Sequence, residues 1–331
     1  MNFSSIFILT QSSFPIIGTI AKVFGLIMNA IYNFFFNSFG VVSIGISIIV
    51  FTIIVRLLMI PLAIKQQKSM KDMQKVQPEL KKIQEKYKNK KDPESQKKLQ
   101  EESAKLYQEH NVSPLGGCLP LMIQMPILFA LFAVLRNIPA YIGHVRVVYE
   151  NVVNNIIAVP GYEKIIDAVH GAQKIKVKGF VATDQNKIID LLNGLSSSGW
   201  VDLTNSFAII SDKLTPLMEQ ITKMHYFLGI NLADRPVNFT NGIDGILTPG
   251  LLIPILCFIA QVLVTKTTSS PSSSGNKQTD QTQKTMMIMM PFITLMFVFQ
   301  MPAGLGLYWL ISNIFQVVQQ VVVNKHLEEK I

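Results

Sequence analysis

Residues 41–64 read VVSIGISIIVFTIIVRLLMIPLAI, an apolar stretch in which Arg56 is the single charged residue. A helix of about 20 apolar residues crosses the ~30 Å hydrocarbon core of a bilayer, so this stretch predicts a membrane span. The whole chain agrees with that interpretation, since 49% of its 331 residues are hydrophobic and only 15% are charged. Soluble domains carry about 25% charged residues, so the composition disfavours a soluble enzyme.

Four further apolar stretches follow, and with the first they predict an all-α polytopic membrane protein with five transmembrane helices. The predicted spans cover residues 41–64, 113–137, 248–265, 286–301 and 302–323. The polar segments between and after them are a cytoplasmic helical hairpin (65–112), an external region (138–247), a cytoplasmic flexible linker (266–285) and a cytoplasmic tail (324–331). The external region predicts loops and short helices, to which the sequence assigns no compact fold. The linker is rich in Ser, Thr, Gln and Asn without periodicity, which is typical of disorder.

Residues 1–40 precede the first span and are apolar with regularly spaced polar side chains. Lys22, Asn29, Asn33 and Asn37 recur at helical spacing and so lie along one stripe of a helix. This pattern favours an external amphipathic helix that lies in the membrane interface. Residues 14–36 are also long enough to cross the bilayer, so a transmembrane helix is the competing interpretation.

The distribution of lysine predicts the orientation of the chain. Thirteen lysines lie between Lys65 and Lys105. Because Lys and Arg concentrate in short cytoplasmic loops, this segment is predicted to be cytoplasmic, with the N-terminus outside and the C-terminus inside. Turn residues in NKKDP (89–93) divide it into the two helices of the hairpin. The formal charge of +9 is therefore interpreted as a topology signal, and we expect no direct nucleic-acid binding.

Motifs of enzymatic chemistry are absent from the sequence. It contains no phosphate-binding glycine loop, no GxSxG, no CxxC and no HExxH. The two cysteines are isolated, and the five histidines have no metal-ligand spacing and are interpreted as surface or loop residues. We therefore expect no enzyme, no catalytic residue, no metal and no cofactor.

Arg56 is the residue most informative about function. A charged side chain at the centre of a span costs about 2.5–3.5 kcal/mol on insertion scales and is usually functional, although snorkelling to the interface is an alternative without function. Thr52 lies one helical turn earlier and shares its face. The other predicted spans contain no acidic residue but several polar ones: Gln124, Gln261, Ser312, Asn313 and Gln316. Each amide alone is explained by a helix–helix hydrogen bond, but together with Arg56 the set predicts a water-filled cavity.

Three stretches resemble the YidC/Oxa/Alb family of membrane protein insertases. They are FTIIVRLLMIPL (51–62), SPLGGCLPLMIQMPILFALF (113–132) and MPAGLGLYWLISNIFQVVQQ (301–320). Their order, their spacing and the intervening lysine-rich hairpin agree with the five-span bacterial members. The stretch FLGINLADRP (227–236) also resembles the family, whereas residues 159–198 have no recognisable counterpart in it.

The resemblance implies an insertase and chaperone that inserts and helps fold integral membrane proteins, alone or with the Sec translocon. Its hydrophilic groove would open to the cytoplasm and be lined by Arg56, Thr52 and Trp309. The expected partners are nascent membrane proteins, the lipid bilayer, and the Sec translocon, ribosome or signal-recognition machinery. The expected location is the bacterial cell (plasma) membrane, as a multi-pass protein. A transporter that binds a small anion at Arg56 is the alternative, although no inverted repeat is visible.

Overall fold

The computed structural model describes residues 15–88, 90, 92–112, 119–237, 242–268 and 277–328. Over these residues the chain is helical except for loops and one small β-hairpin. The α-helices are α1 (Pro15–Phe39), α2 (Ile44–Leu58), α3 (Ile60–Tyr87), α4 (Pro93–Glu109), α5 (Leu119–Arg136), α6 (Gly143–Ile157), α7 (Tyr162–Gln173), α8 (Gln185–Asn193), α9 (Ser197–Ser206), α10 (Ser211–His225), α11 (Gly242–Ile246), α12 (Leu252–Thr268), α13 (Lys277–Gln300) and α14 (Ala303–Glu328). Short 3-10 helices cover Ile138–Ala140, Ala208–Ile210 and Pro249–Leu251. Strands β1 (Tyr226–Phe227) and β2 (Ile230–Asn231) pair antiparallel.

Three described helices are long and apolar enough to cross a membrane by themselves. They cover Ile16–Phe39, Pro249–Thr267 and Ala303–Lys325. Helix α2 and the first part of α3 meet the same criterion when they are taken together, and two shorter apolar helices cover Gln124–Arg136 and Ile288–Gln300. The chain is therefore an all-α membrane protein. That it has five spans stays a prediction. The first of these helices falls in the segment predicted to be interfacial, so both interpretations of residues 14–36 stay predictions as well.

The predicted span 41–64 is not one straight helix. Helix α2 ends at Leu58, and α3 begins at Ile60 with a change of direction of 54°. Pro61 in the first turn of α3 explains the break, because proline has no N–H for the carbonyl of Leu57 and its ring clashes with that carbonyl in a continuous helix. The break places Arg56 in the last turn of α2.

The contacts divide the chain into two compact units. The first comprises Met1–Thr52, Pro126–Ile253 and Gln300–Tyr308, and the second comprises Ile53–Met125, Pro254–Phe299 and Trp309–Ile331.

In the first unit, the predicted external region folds around a helical core. Helix α6 packs against α8 and α10, and the apolar side chains of these short helices are buried between them: Val152, Ile156, Ile188, Leu192, Leu214 and Ile221. The region thus has a compact fold, which the sequence left unassigned. Helix α6 buries six residues at helical spacing, so a periodic apolar face is present in the sequence. Which other helices cover that face depends on contacts between segments far apart in the chain.

Helix α1 belongs to the same unit and packs through one face. Met28 and Tyr32 are fully buried, and the ring of Phe24 meets that of Phe51 edge to face at 5.1 Å. Asn29, predicted to lie on a polar stripe, accepts a hydrogen bond from the backbone N–H of Gly143 at 3.0 Å. The Oδ1 atom of its side chain thereby satisfies one of the N–H groups at the start of α6, which lack partners within the helix.

Residues 226–236 contact the starts of three apolar helices, at residues that all belong to the first unit. The Phe227 ring packs on Gly45 in α2, where a Cβ atom would lie 2.5 Å from it. At the start of α14, the N–H of Gly304 donates to the carbonyl of Leu232 at 2.9 Å. The N–H of Ala303 donates to the carbonyl of Asp234 at 2.8 Å. The carbonyl of Pro236 accepts the hydroxyl of Thr248, just before α12, at 2.8 Å.

In the second unit, α3 and α4 pack side by side as the two helices of the predicted hairpin. Val76, Leu80 and Leu106 form its small buried core. At the edge, the carboxylate of Glu102 accepts from Lys86 at 2.6 Å and from the Tyr87 hydroxyl at 2.8 Å. These hydrogen bonds, to Lys86 first, hold the pKa of Glu102 below its usual value. The group is exposed, so the stability of the hairpin rests mainly on its apolar contacts.

The predicted flexible linker 266–285 is helical at both ends. Helix α12 continues to Thr268, and α13 begins at Lys277, before the predicted start of its span at residue 286. Residues 269–276 lie outside the described residues. Lys, Gln and Thr can extend an apolar helix that is already formed, because adding a residue costs much less than nucleating a helix. The polar composition therefore overstated the length of the linker.

Candidate functional site

Arg56 contacts α14 through a serine hydroxyl. Its Nε atom donates to the Oγ atom of Ser312 at 2.8 Å, and its terminal NH2 group donates to the same oxygen. Ser312 is only 2% exposed, whereas Arg56 is partly exposed. A hydroxyl carries no charge, so this contact positions the guanidinium without neutralising it.

The local structure of α2 lowers the cost of placing a cation there. The helix ends at Leu58, which puts Arg56 in its last turn. The carbonyl groups at a helix C-terminus carry partial negative charge and stabilise a nearby cation by about 0.3–1 kcal/mol. The position of Arg56 therefore depends on the break that Pro61 introduces.

Two amide pairs add polar contacts between other helices of the second unit. Asn313 on α14 donates to the Oε1 atom of Gln261 on α12 at 3.0 Å. Gln67 on α3 donates to the Oδ1 atom of Asn324, also on α14, at 2.7 Å. Helix α14 thus makes side-chain hydrogen bonds with α2, α12 and α3.

Sequence reasoning identified Gln261, Ser312 and Asn313 but missed Gln67 and Asn324. It assigned Gln67 to the solvated hairpin and Asn324 to the tail. Gln67 is nevertheless buried. A usable signal was its place in the first turns of α3, directly after the apolar residues of the predicted span.

Four further residues were predicted to belong to the site: Thr52, Gln124, Trp309 and Gln316. The hydroxyl of Thr52 donates to the carbonyl of Ile48 at 2.6 Å, within its own helix, and Thr52 belongs to the first unit. Such a bond to the carbonyl four residues earlier is common for threonine in helices. Gln124, Trp309 and Gln316 belong to the second unit and are partly exposed.

His225 differs from the surface histidine that the sequence predicted. It is the last residue of α10, only 4% exposed, and neither ring nitrogen has a hydrogen-bond partner among the described residues. Burial lowers its pKa to about 4. The described part of the chain contains no group of three or more His, Cys, Asp or Glu residues that could hold a metal ion.

Comparison with known proteins identifies the family. The family model described as 60Kd inner membrane protein matches residues 34–330. The chain belongs to this family. The match covers all three motifs on which the resemblance to the YidC/Oxa/Alb insertases rests and confirms that resemblance.

Similar bacterial proteins carry the name membrane protein insertase YidC. One from Fusobacterium nucleatum is 44% identical over 98 residues, which are 29% of this chain and 45% of the relative. One from Chloroherpeton thalassium is 30% identical over 298 residues, 90% of this chain and 35% of the relative. One from Clostridium perfringens is 48% identical over 127 residues, 37% of this chain and 51% of the relative.

The chain thus spans between about a third and a half of the length of these relatives. The bacterial relatives and the apolar helices identify a multi-pass protein of a bacterial membrane. The names of the relatives give no support to the alternative of an anion transporter.

Proposed function

We propose that this protein is a membrane protein insertase that moves short hydrophilic segments of nascent membrane proteins across the bilayer. The observation that carries the proposal is the contact of Arg56 with Ser312 among apolar helices, in a chain whose family relatives are named insertases. Charged groups within membrane helices usually face a protein interior or a water-filled cavity.

The polar side chains of the second unit would line a hydrophilic groove. Arg56, Ser312, Gln261 and Asn313 supply its centre, and Gln124, Trp309 and Gln316 are further candidates on the same unit. A hydrated groove shortens the apolar distance that a hydrophilic segment must cross. Thr52 remains a candidate from the sequence, one turn before Arg56.

Arg56 would attract acidic residues in the translocated segment. At an effective dielectric constant near 20, a pair of opposite charges about 4 Å apart gains about 4 kcal/mol before the cost of desolvation. This gain is comparable with the cost of about 2.5–3.5 kcal/mol for a charge at the centre of a helix in the membrane. Partitioning of the substrate's own apolar helix into lipid would then drive its release.

The proposed orientation has the N-terminus outside and the C-terminus in the cytoplasm. The lysine-rich segment supports it through the excess of positive charge in cytoplasmic loops. The contacts of residues 226–236 support it too. The first, third and fifth spans of an alternating chain begin on the same side, and α2, α12 and α14 all begin against this segment.

The hairpin α3–α4 would receive substrates on the cytoplasmic side. Its exposed lysines offer a surface for the ribosome, the signal-recognition machinery or the Sec translocon, which we propose as partners together with nascent membrane proteins.

Complementation of a bacterial strain depleted of its own insertase tests the proposal. The substrate is a single-span protein with a short translocated tail, in an acidic and a neutral version. The wild-type chain should insert both, and Arg56→Ala should impair the acidic version more, because only that version loses an attractive charge pair. Arg136→Ala is the matched control, since Arg136 lies at the exposed end of an apolar helix.

Two outcomes would count against this account at different levels. Failure of the wild-type chain, present at normal levels in the membrane, to insert either substrate would reject the insertase function. Equal insertion of both substrates by Arg56→Ala would leave that function standing and reject the role of the charge.

A further inference from the structure

The β-hairpin in residues 226–236 displays an apolar side chain in a conformation that disfavours it. Leu228 and Gly229 form the turn between β1 and β2, with φ values of +49° and +81°. Two positive φ values in a two-residue turn define type I′, in which Asn, Asp or Gly normally occupy the first position. A bulky residue with positive φ is a genuine outlier, and such strain clusters at functional positions.

Two side chains of the hairpin are exposed to an unusual degree. Leu228 is 82% exposed, and Tyr226 is 50% exposed. Phe227 between them packs on Gly45 and thereby fixes the hairpin to the start of α2. The fold thus anchors the hairpin through Phe227 and leaves the side chains of Leu228 at the turn and Tyr226 in β1 uncovered.

The contacts of the hairpin segment indicate its level relative to a membrane. Phe227, Leu232 and Pro236 contact residues at the starts of α2, α14 and α12, respectively. Each of these helices belongs to a stretch that meets the length and apolarity of a span, α2 in combination with α3. The ends of spans lie at the membrane interface, where tyrosine is enriched because its ring is apolar and its hydroxyl is polar.

We propose that the two exposed side chains of this hairpin, Leu228 at the turn and Tyr226 in β1, insert into the interfacial layer of the lipid bilayer at the N-terminal ends of α2, α12 and α14. Lipid would cover the exposed Leu228 side chain, while the Tyr226 hydroxyl reaches the headgroups. The inserted side chains would hold residues 226–236 against the three helix starts. This role does not depend on the insertase function and concerns lipid as the ligand.

Fluorescence of a single probe on the reconstituted full chain tests the insertion. In a background with Cys118→Ser and Cys257→Ala, the probe NBD is attached to Leu228→Cys, and the protein is placed in phosphatidylcholine–phosphatidylglycerol vesicles. Val181→Cys is the matched control, because Val181 is an exposed apolar residue (53%) in a loop of the same unit. The probe at 228 should emit at shorter wavelength than the control, be quenched by spin-labelled lipid and resist aqueous iodide.

Two results would overturn the proposal. Equal quenching of both probes by iodide, with no lipid quenching at 228, would mean that the turn lies in water. Protection of the 228 probe from both quenchers would mean that protein covers it instead of lipid.

A second experiment leaves position 228 unlabelled and tests its side chain by substitution. Leu228→Asn should raise the melting temperature of the detergent-solubilised chain, because asparagine tolerates positive φ. In the same Cys118→Ser and Cys257→Ala background, a probe at Tyr226→Cys should resist iodide and lose that protection when Leu228→Asn is added. Unchanged protection at position 226 would contradict a role of Leu228 in insertion.

Discussion

Acidification should destabilise the first unit through the buried His225. The pKa of this histidine is about 4 in the folded chain, against 6.5 for an exposed one, because burial disfavours the charged ring. The unfolded state therefore binds the proton more readily. The protonation of His225 costs no stability above pH 6.5, and its cost grows as the pH falls from 6.5 towards 4.

The expected size of the effect follows from the two pKa values. A pKa difference of about 2.5 units lowers the unfolding free energy by about 3 kcal/mol once the pH is below both pKa values, at 1.36 kcal/mol per unit. At pH 5 the loss amounts to about 2 kcal/mol. Since neither ring nitrogen has a hydrogen-bond partner among the described residues, His225→Leu removes this loss and exchanges the ring for an apolar side chain of similar size.

Tryptophan fluorescence of the detergent-solubilised chain provides the assay. With Trp309→Phe, Trp200 is the remaining one of two tryptophans, and it lies in the core of the first unit. Denaturant unfolding is followed at several pH values from 7.5 to 4.5, with and without His225→Leu. His110→Leu is the control, because His110 is exposed on the hairpin. The reasoning is refuted if the unfolding free energy of the chain with His225 and that of the His225→Leu variant depend on pH in the same way.

Three further substitutions test the packing of individual helices. Leu106→Ala should destabilise the hairpin by about 2–5 kcal/mol, measured by thermal unfolding of the purified chain, because it empties the small core between α3 and α4. Gln261→Leu should cost about 1–3 kcal/mol in detergent, since the amide of Asn313 loses its buried acceptor. Gly250→Ala should lower the melting temperature, because its Cβ atom would collide with the backbone carbonyl of Pro236.

Two of these predictions have a control variant, and the third has an outcome that would contradict it. Gly171→Ala adds a Cβ atom where nothing lies within 4 Å and should leave the melting temperature unchanged or raise it. Adding Asn313→Leu to Gln261→Leu should restore part of the lost stability, because no buried amide is then left without a partner. A hairpin that tolerates Leu106→Ala at no cost would show that its core does not stabilise it.

Much of the local structure could be predicted because it depends on local composition. Apolar stretches of the required length mark α12 and α14, and the separation of two lysine-rich helices follows from NKKDP. Within that turn, Asp92 accepts a hydrogen bond from the N–H of Ser95 at 2.8 Å and caps α4, with Pro93 at its first position. Such signals act over a few residues and can be read from the order of the chain.

Part of the candidate site could be predicted, and part could not. Arg56, Ser312, Asn313 and Gln261 were recognisable as polar residues in apolar stretches. Their pairing was not recognisable, because Arg56 and Ser312 are 256 positions apart, and an amide or hydroxyl in a helix gives no sign of which neighbour it meets. The burial of His225 was not recognisable either, because burial depends on tertiary packing and not on the local sequence.

The sequence alone determined the membrane class, the polar character of the hairpin and the presence of Arg56 in an apolar stretch, because these follow from composition over about 20 residues. Tertiary structure decided that the guanidinium of Arg56 donates to Ser312, that the short helices between Gly143 and His225 share one core, and that Leu228 is exposed at a strained turn. Those features depend on which helix faces meet in space, and the side chains that meet lie far apart in the chain.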